Sequence, residues 1–511
     1  MNLNRAKSLV IEMDASAILF LVCISVGFFL VHKILVSGKA TSTSNARRPP
    51  GPARVPLLGN ILDLRGAELH HALARLAGVY GPIMSLKLGT SNAIVVSSAA
   101  AARDVLQKHD HILVGRAVND AARALGSHEL SMLWLPASSP LFKRLRAVCN
   151  NHLFSARGLD ATKAVREEKV RELVGFLRSR YAGQAVEVGS VVLSGMLNLM
   201  SNVLFSEDVA DLSSDHAQEL ETLINDMIEE ITKPNLSDLF PVLAPLDLQS
   251  RRRNNTVYMK KLYDFMDRVI CRRQSAGGEK KVDFLDVLLR LHSEDQFSLQ
   301  SVNSFLLDLF VAGTATTSLT VQWTLAELLR HPAVMSKVRG ELQEVLGAKE
   351  YPDESDIDKL PYLRTVVMEI MRLHSPSPIM MPHVAMADGA EVGGFVVPKG
   401  TIVIVNVWAI MRDPASWEQP EAFMPERFRG TGLDFRGGDT AFLPFGSGRR
   451  LCPGMPMATR SLTLILASVL HAFEWSLHDG MQPCDVDVRE RFSTSLNMVT
   501  PLKAVPTPVC H

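Results

Sequence analysis

Phe445-Gly446-Ser447-Gly448-Arg449-Arg450-Leu451-Cys452-Pro453-Gly454 is the stretch whose reading decides the fold. Gly446, Gly448 and Gly454 lack a Cβ, so the backbone around them can come close to a flat ligand. Arg450 offers a planar fork that matches a carboxylate. Cys452 stands just ahead of an apolar run with helical spacing that begins near Pro456. A thiolate there feels the positive end of a helix, which is expected to lower its pKa and keep it ionised as a metal ligand.

Upstream, Glu369-Ile370-Met371-Arg372 sets an acid and a base three apart, neighbours on one helix face. Pro425-Glu426-Arg427-Phe428 adds a second arginine before the glycine loop. Residues 305–329 form a long apolar helix candidate whose only charges are Asp308 and Glu327. Its middle is crowded with Gly313, Thr314, Thr316, Thr317 and Ser318, so a helix buried across a large domain explains it better than a membrane span.

Most of the remaining chain also reads as helix, with apolar residues at threes and fours in 161–178, 217–231 and 257–273. The β-rich runs are short. Residues 83–88 and 93–97 flank Gly89-Thr90-Ser91-Asn92 as a hairpin, and another strand pair is expected around Pro398-Lys399-Gly400. The fold class is mainly α with a small β part.

The N-terminus carries the one membrane signal. Residues 15–31 are uncharged and mostly apolar, and at ~1.5 Å per residue they span roughly 26 Å, near the thickness of a thin bilayer. More Lys and Arg follow this run than precede it, which favours a body on the cytosolic side. The order expected is a tail over 1–14, an anchor over 15–31, a basic, proline-rich linker over 32–56 and one body over 57–511.

The 511 residues hold 54 Lys plus Arg and 54 Asp plus Glu, so no global field draws the chain to nucleic acid. Its six cysteines, Cys23, Cys149, Cys271, Cys452, Cys484 and Cys510, form no close pairs, which argues against a disulfide framework or a Cys-x-x-Cys metal site.

The glycine loop matches all of Phe-x-x-Gly-x-Arg-x-Cys-x-Gly, and so resembles the haem-binding loop of the cytochrome P-450 superfamily. With Glu369-x-x-Arg372, Arg427 and the N-terminal span in the family's order, the resemblance covers nearly the whole chain. It looks most like plant microsomal members, in the group that includes terpenoid hydroxylases. The resemblance implies haem b (iron protoporphyrin IX) with Cys452 as axial ligand and Phe445, Gly446, Gly448, Arg450 and Gly454 around it. It also implies a structural triad of Glu369, Arg372 and Arg427. Ala312-Gly313-Thr314-Ala315-Thr316-Thr317 is similar to the family's oxygen-activation segment, where a small pair loosens the helix and a threonine faces dioxygen. Thr316 takes that threonine's place, but Ala315 stands where an acid is usual.

Phe142-Lys143-Arg144-Leu145-Arg146 occupies the place of the family's Trp-Arg-x-x-Arg. Lys143 and Arg146, with Arg450 and His383, are the residues implied at the haem propionates. By the same resemblance the substrate pocket includes Leu307, Asp308, Ala312, Ile379, Met380, Ser495 and Leu496. The implied activity is NADPH- and O2-dependent hydroxylation of a lipophilic small molecule, a terpenoid with diterpenoids among the candidates, with electrons from a flavoprotein reductase. The implied location is the endoplasmic reticulum membrane, single-pass, in contact with lipid. Two other classes fit part of the pattern: a haem-thiolate isomerase or dehydratase needing no external electrons, and a haem protein that only transfers electrons or senses a gas. Dependence of turnover on NADPH separates them.

Overall fold

The computed structural model describes residue 27 and residues 48–210, 216–275, 283–493 and 495–509. The chain divides into two units, residues 1–47 and 48–511. The proposed anchor over 15–31 lies, apart from Gly27, outside the described residues. The second unit takes in residues assigned above to the linker. Pro49 and Pro50 accept hydrogen bonds through their carbonyls from Ser85 Oγ–H (2.9 Å) and Ser85 N–H (2.7 Å). A side chain at Gly51 would collide with the Ser85 carbonyl at 2.1 Å, so glycine is needed where this stretch runs against the body.

Seven helices matter for the site: α1 (Leu69–Tyr80), α2 (Pro140–Val148), α3 (Lys163–Tyr181), α4 (Val188–Phe205), α5 (Leu299–Arg330), α6 (Pro361–Leu373) and α7 (Met455–Ala472). The helices expected around 217–231 and 257–273 span His216–Thr232 and Arg251–Ser275. Pro140, Pro361 and Pro456 lie in the first turns of α2, α6 and α7, where a missing N–H costs nothing. Ser298 caps α5, its hydroxyl accepting from Ser301 N–H.

Helix α5 is the spine. It packs against α4, α6 and α7, and Trp323 and Thr324 on it are fully buried. Both α4 and α5 are long and apolar enough to cross a bilayer, but 61% of each apolar window is buried within the protein, as core helices require. The helix runs unbroken through its small-residue segment. Gly313 admits α4: a Cβ there would meet Met200 Cε at 2.5 Å.

The β part centres on a five-stranded sheet in the order β1-β2-β7-β4-β3, built from β1 (Ile83–Leu88), β2 (Ser91–Val96), β3 (Gly115–Arg116), β4 (His383–Val384) and β7 (Ile402–Val405). The β1–β2 hairpin has the expected pairing, Ile83 opposite Val96. The pair expected around Pro398-Lys399-Gly400 is different. Strands β6 (Phe395–Val397) and β7 do flank that turn, but β6 pairs with β5 (Ala390–Val392), whereas β7 joins β2 and β4. A second small hairpin, β8 (Glu490–Phe492) and β9 (Leu496–Met498), lies near the C-terminus.

Candidate active site

Cys452 sits at the N-terminus of α7, its N–H bonded to the Phe445 carbonyl at 3.0 Å, which closes the glycine loop. Gly446 and Gly448 have φ of +78° and +66°. A Cβ on Gly448 would lie 2.0 Å from the Leu106 carbonyl, so only glycine fits. Burial dominates and raises the pKa of the Cys452 thiol, while the amides of Gly454 and Met455 and the Arg146 guanidinium pull the other way. A thiolate here therefore calls for a cation of its own.

Beside the loop, where Asp110 pairs with Arg449, gather Arg116 and Arg450, for which no ion pair is found among the described residues. Arg450 donates to the carbonyls of Leu135 and Val114, and its guanidinium lies 4.5 Å above the Phe142 ring. Arg116 on β3 donates to the Met381 carbonyl at 2.8 Å, but its buried Nε–H has no partner. In the ladder Arg116 stands opposite His383, whose buried Nδ1 is also without a hydrogen-bond partner. Burial and Arg450 push Arg116 down to about 9, and burial and Arg146 push Arg450 down to about 10. Burial, Arg116 and Arg450 hold His383 down at about 3. Lys143, on α2 like Arg146, has its side chain exposed. Phe142 is buried, so the ring that replaces tryptophan supplies a face for Arg450 where an indole would supply an N–H.

The acid–base triad is buried. Glu369 Oε1 accepts from Arg372 Nη2 (2.9 Å), Arg427 Nε (3.0 Å) and Met424 N (2.8 Å), and Oε2 accepts from Arg372 Nε (2.7 Å). Arg372 also donates to the carbonyls of Met411, Pro420 and Ala422, tying α6 to the chain that leads to the glycine loop.

On α5, Thr316 Oγ–H donates to the Ala312 carbonyl at 3.0 Å. Ala312 is exposed and Ala315 and Thr316 are half-buried, an open stripe in a helix that is otherwise core. Asp308 is fixed by Ser131 Oγ–H at 2.9 Å and Met132 N–H at 2.7 Å, and burial raises its carboxyl to about 7. Met380 approaches the loop, its Cε 3.0 Å from where a Cβ on Gly446 would stand. Leu307, Ile379 and Leu496 are buried in protein packing, while Ser495 is half-buried. Leu496 is tied by its backbone, accepting from Trp323 Nε1–H at 2.8 Å.

Sequence reasoning missed Arg116. Its one local signal is a lone cation in an otherwise apolar stretch, and its importance shows only once β3 pairs with β4.

The family model of Cytochrome P450 matches residues 49–501. The chain is 47% identical over 495 residues to oryzalexin E synthase of Oryza sativa subsp. japonica, covering 95% of this chain and 96% of that protein. It is 47% identical over 463 residues to ent-cassadiene C11-alpha-hydroxylase 1 of the same plant, covering 90% and 92%. It is 42% identical over 465 residues to geraniol 8-hydroxylase of Catharanthus roseus, covering 90% and 94%. Among solved structures, a zebra fish cytochrome P450 with progesterone has a TM-score of 0.75 at 28% identity, covering 87% of this chain and all of that one. The chain belongs to the cytochrome P450 family and is a haem-thiolate monooxygenase.

Proposed function

We propose that the protein hydroxylates a lipophilic terpenoid, a diterpenoid in particular, using O2 and electrons from NADPH delivered by a flavoprotein reductase. The observation that carries this reading is the geometry that sets Cys452 at the start of α7, in the closed glycine loop, beside the Arg116 and Arg450 guanidiniums and the unpartnered Nδ1 of His383. Haem fits that donor set: its iron answers the sulfur and its two propionates answer the cations. The relatives named for diterpenoid products support the substrate class.

In this reading Cys452 would bind the haem iron through its sulfur, and Arg116, Arg146, Arg450 and His383 would hold the propionates. Phe445, Gly446, Gly448 and Gly454 shape the loop. When bound, haem would supply activation of dioxygen, favoured by electron donation from the Cys452 sulfur. The residues do the rest. Thr316, whose hydroxyl now donates to the Ala312 carbonyl, can turn that donor toward the open stripe of α5 and hold a proton there. Ala315 can neither donate nor accept one. Ala312 and Met380 offer apolar surface to the substrate.

Residues 15–31 anchor the chain in the endoplasmic reticulum membrane, residues 32–47 bridge to the body, and the body faces the cytosol. A surface on the body supports lipid contact. Val55, Leu57, Leu58 and Leu62 are exposed, as are Leu236, Val242, Leu246 and Leu248. The two groups adjoin through Gly89-Thr90, which bonds the Leu58 carbonyl on one side and the Leu239 carbonyl on the other.

The test is conversion of mono-, sesqui- and diterpenoids by reconstituted membranes with and without NADPH and reductase. Hydroxylated product that needs both is the expected result. Product formed equally without electrons would replace this reading with an isomerase or dehydratase.

A further inference from the structure

Away from the haem loop, His70 and His71 in the first turn of α1 both reach the same atom. His70 Nε2 is 3.2 Å and His71 Nε2 is 3.1 Å from Glu490 Oε2 on β8. Trp408 Nε1–H donates to that oxygen as well, at 3.0 Å. Three nitrogens thus converge on one carboxylate oxygen, and the tautomer decides whether each imidazole turns an N–H or a lone pair toward it. With the protons on Nδ1, both imidazoles present Nε2 lone pairs toward that oxygen, and a cation between them satisfies all three donor atoms.

Both nitrogen–oxygen separations suit a coordination sphere. Ligand bonds of ~2.0–2.1 Å in a tetrahedral zinc site place neighbouring donors about 3.3–3.4 Å apart, close to the two nitrogen–oxygen separations here. The three donor atoms all lie within 4.8 Å of one another. Charge agrees with a divalent ion. Glu68, Glu327, Glu421 and Glu490 outnumber Arg330 and Arg412, while Arg489 pairs with Asp487, and His331 and His374, both raised by Glu327, offset part of that negative excess. His374 Nδ1, 3.3 Å from Glu490 Oε1, and Asn406, bonded to the His70 carbonyl, steady the ligands from behind. A cavity of about 660 Å³ lined by His71, Trp408 and Glu490 leaves room for water and a path for the ion.

We propose that His70, His71 and Glu490 form a binding site for a divalent cation, zinc by donor type, with water as fourth ligand. The ion joins the start of α1 to β8. Among the described residues His70 Nδ1 has no acceptor behind it, so the site is weaker than a closed structural zinc site.

The experiment uses the full-length, haem-loaded protein, freed of adventitious metal by a chelator and dialysed against zinc chloride. Bound zinc is counted by atomic absorption, and its ligands are read from the zinc K-edge, which haem iron does not obscure. One zinc per chain is expected, with two imidazoles in its shell. His71→Ala removes a half-exposed side chain remote from the haem loop and is expected to keep the reduced-CO band while weakening zinc at least ten-fold. Glu490→Gln is expected to weaken it similarly. Zinc bound equally by the wild type and His71→Ala, a shell without two imidazoles, or no saturable binding below about millimolar zinc would each overturn the proposal.

Discussion

Replacing Glu369 by glutamine removes one charge from the triad and leaves its shape almost unchanged. The wild-type carboxylate takes four hydrogen bonds, from both faces of Arg372, from Arg427 and from the Met424 amide, and the Glu369 and Arg372 side chains have no solvent exposure. Glutamine keeps one carbonyl acceptor and turns an NH2 group toward guanidinium N–H donors. Two arginines are then left without their counter-ion, and breaking a buried pair from one side costs about 3–5 kcal/mol. Against a net stability of roughly 5–15 kcal/mol that is a large share. Urea titration followed by the thiolate-type reduced-CO band measures it, because the band reports the seating of the glycine loop that the triad supports. A stability loss below about 1 kcal/mol would refute the reasoning. A triple replacement of Glu369, Arg372 and Arg427 by leucine, methionine and leucine is expected to recover part of the loss, since no charge is then stranded.

The other expectations concern proton supply, anchoring and pH. Ala315→Asp is expected to raise the coupling of NADPH use to product most for terpenoids lacking a hydroxyl, and Thr316→Ala to damage turnover of hydroxylated and bare substrates alike. Equal coupling for both substrate kinds in the wild type, with no response to Ala315→Asp, would remove substrate-assisted protonation from the account. A chain beginning at Pro49 keeps the contacts of Pro49 and Pro50 with Ser85, so it should bind haem yet partition less into membranes; soluble folded protein devoid of haem would contradict that boundary. Asp308 has a folded pKa raised to about 7 against an ordinary 3.8, so its stabilising contribution is full below 3.8 and is lost as pH rises through 7. Between pH 5 and pH 8 this amounts to roughly 2–3 kcal/mol. Asp308→Asn should remove that part of the pH dependence of urea stability, and an unchanged profile would show that Asp308 does not titrate in this range.

What the sequence disclosed was what is local. The glycine loop, the Glu369–Arg372 pair and the long helix are each read from neighbours within a few turns, and each stands in the structure where its spacing puts it. The misread strands around Pro398 show the limit: both runs extend, but their partners are chosen by β2 and β5 from elsewhere in the chain. Arg116 was hidden for the same reason, since its partner Met381 lies 265 residues away. Glu490 is hidden further still, 420 residues from His70. Gly313 carries a packing demand from Met200 that resembles a functional small residue when only α5 is in view. The rise in the Cys452 pKa could not be read locally either, because burial by distant elements outweighs the helix end.

The central claim is that the sulfur of Cys452 binds the haem iron, and the reduced-CO difference spectrum of Cys452→Ser tests it most directly. The wild type, and variants at each of the other five cysteines, should show the thiolate-type band, and Cys452→Ser should show none. A normal thiolate-type band from Cys452→Ser would contradict the account at its root.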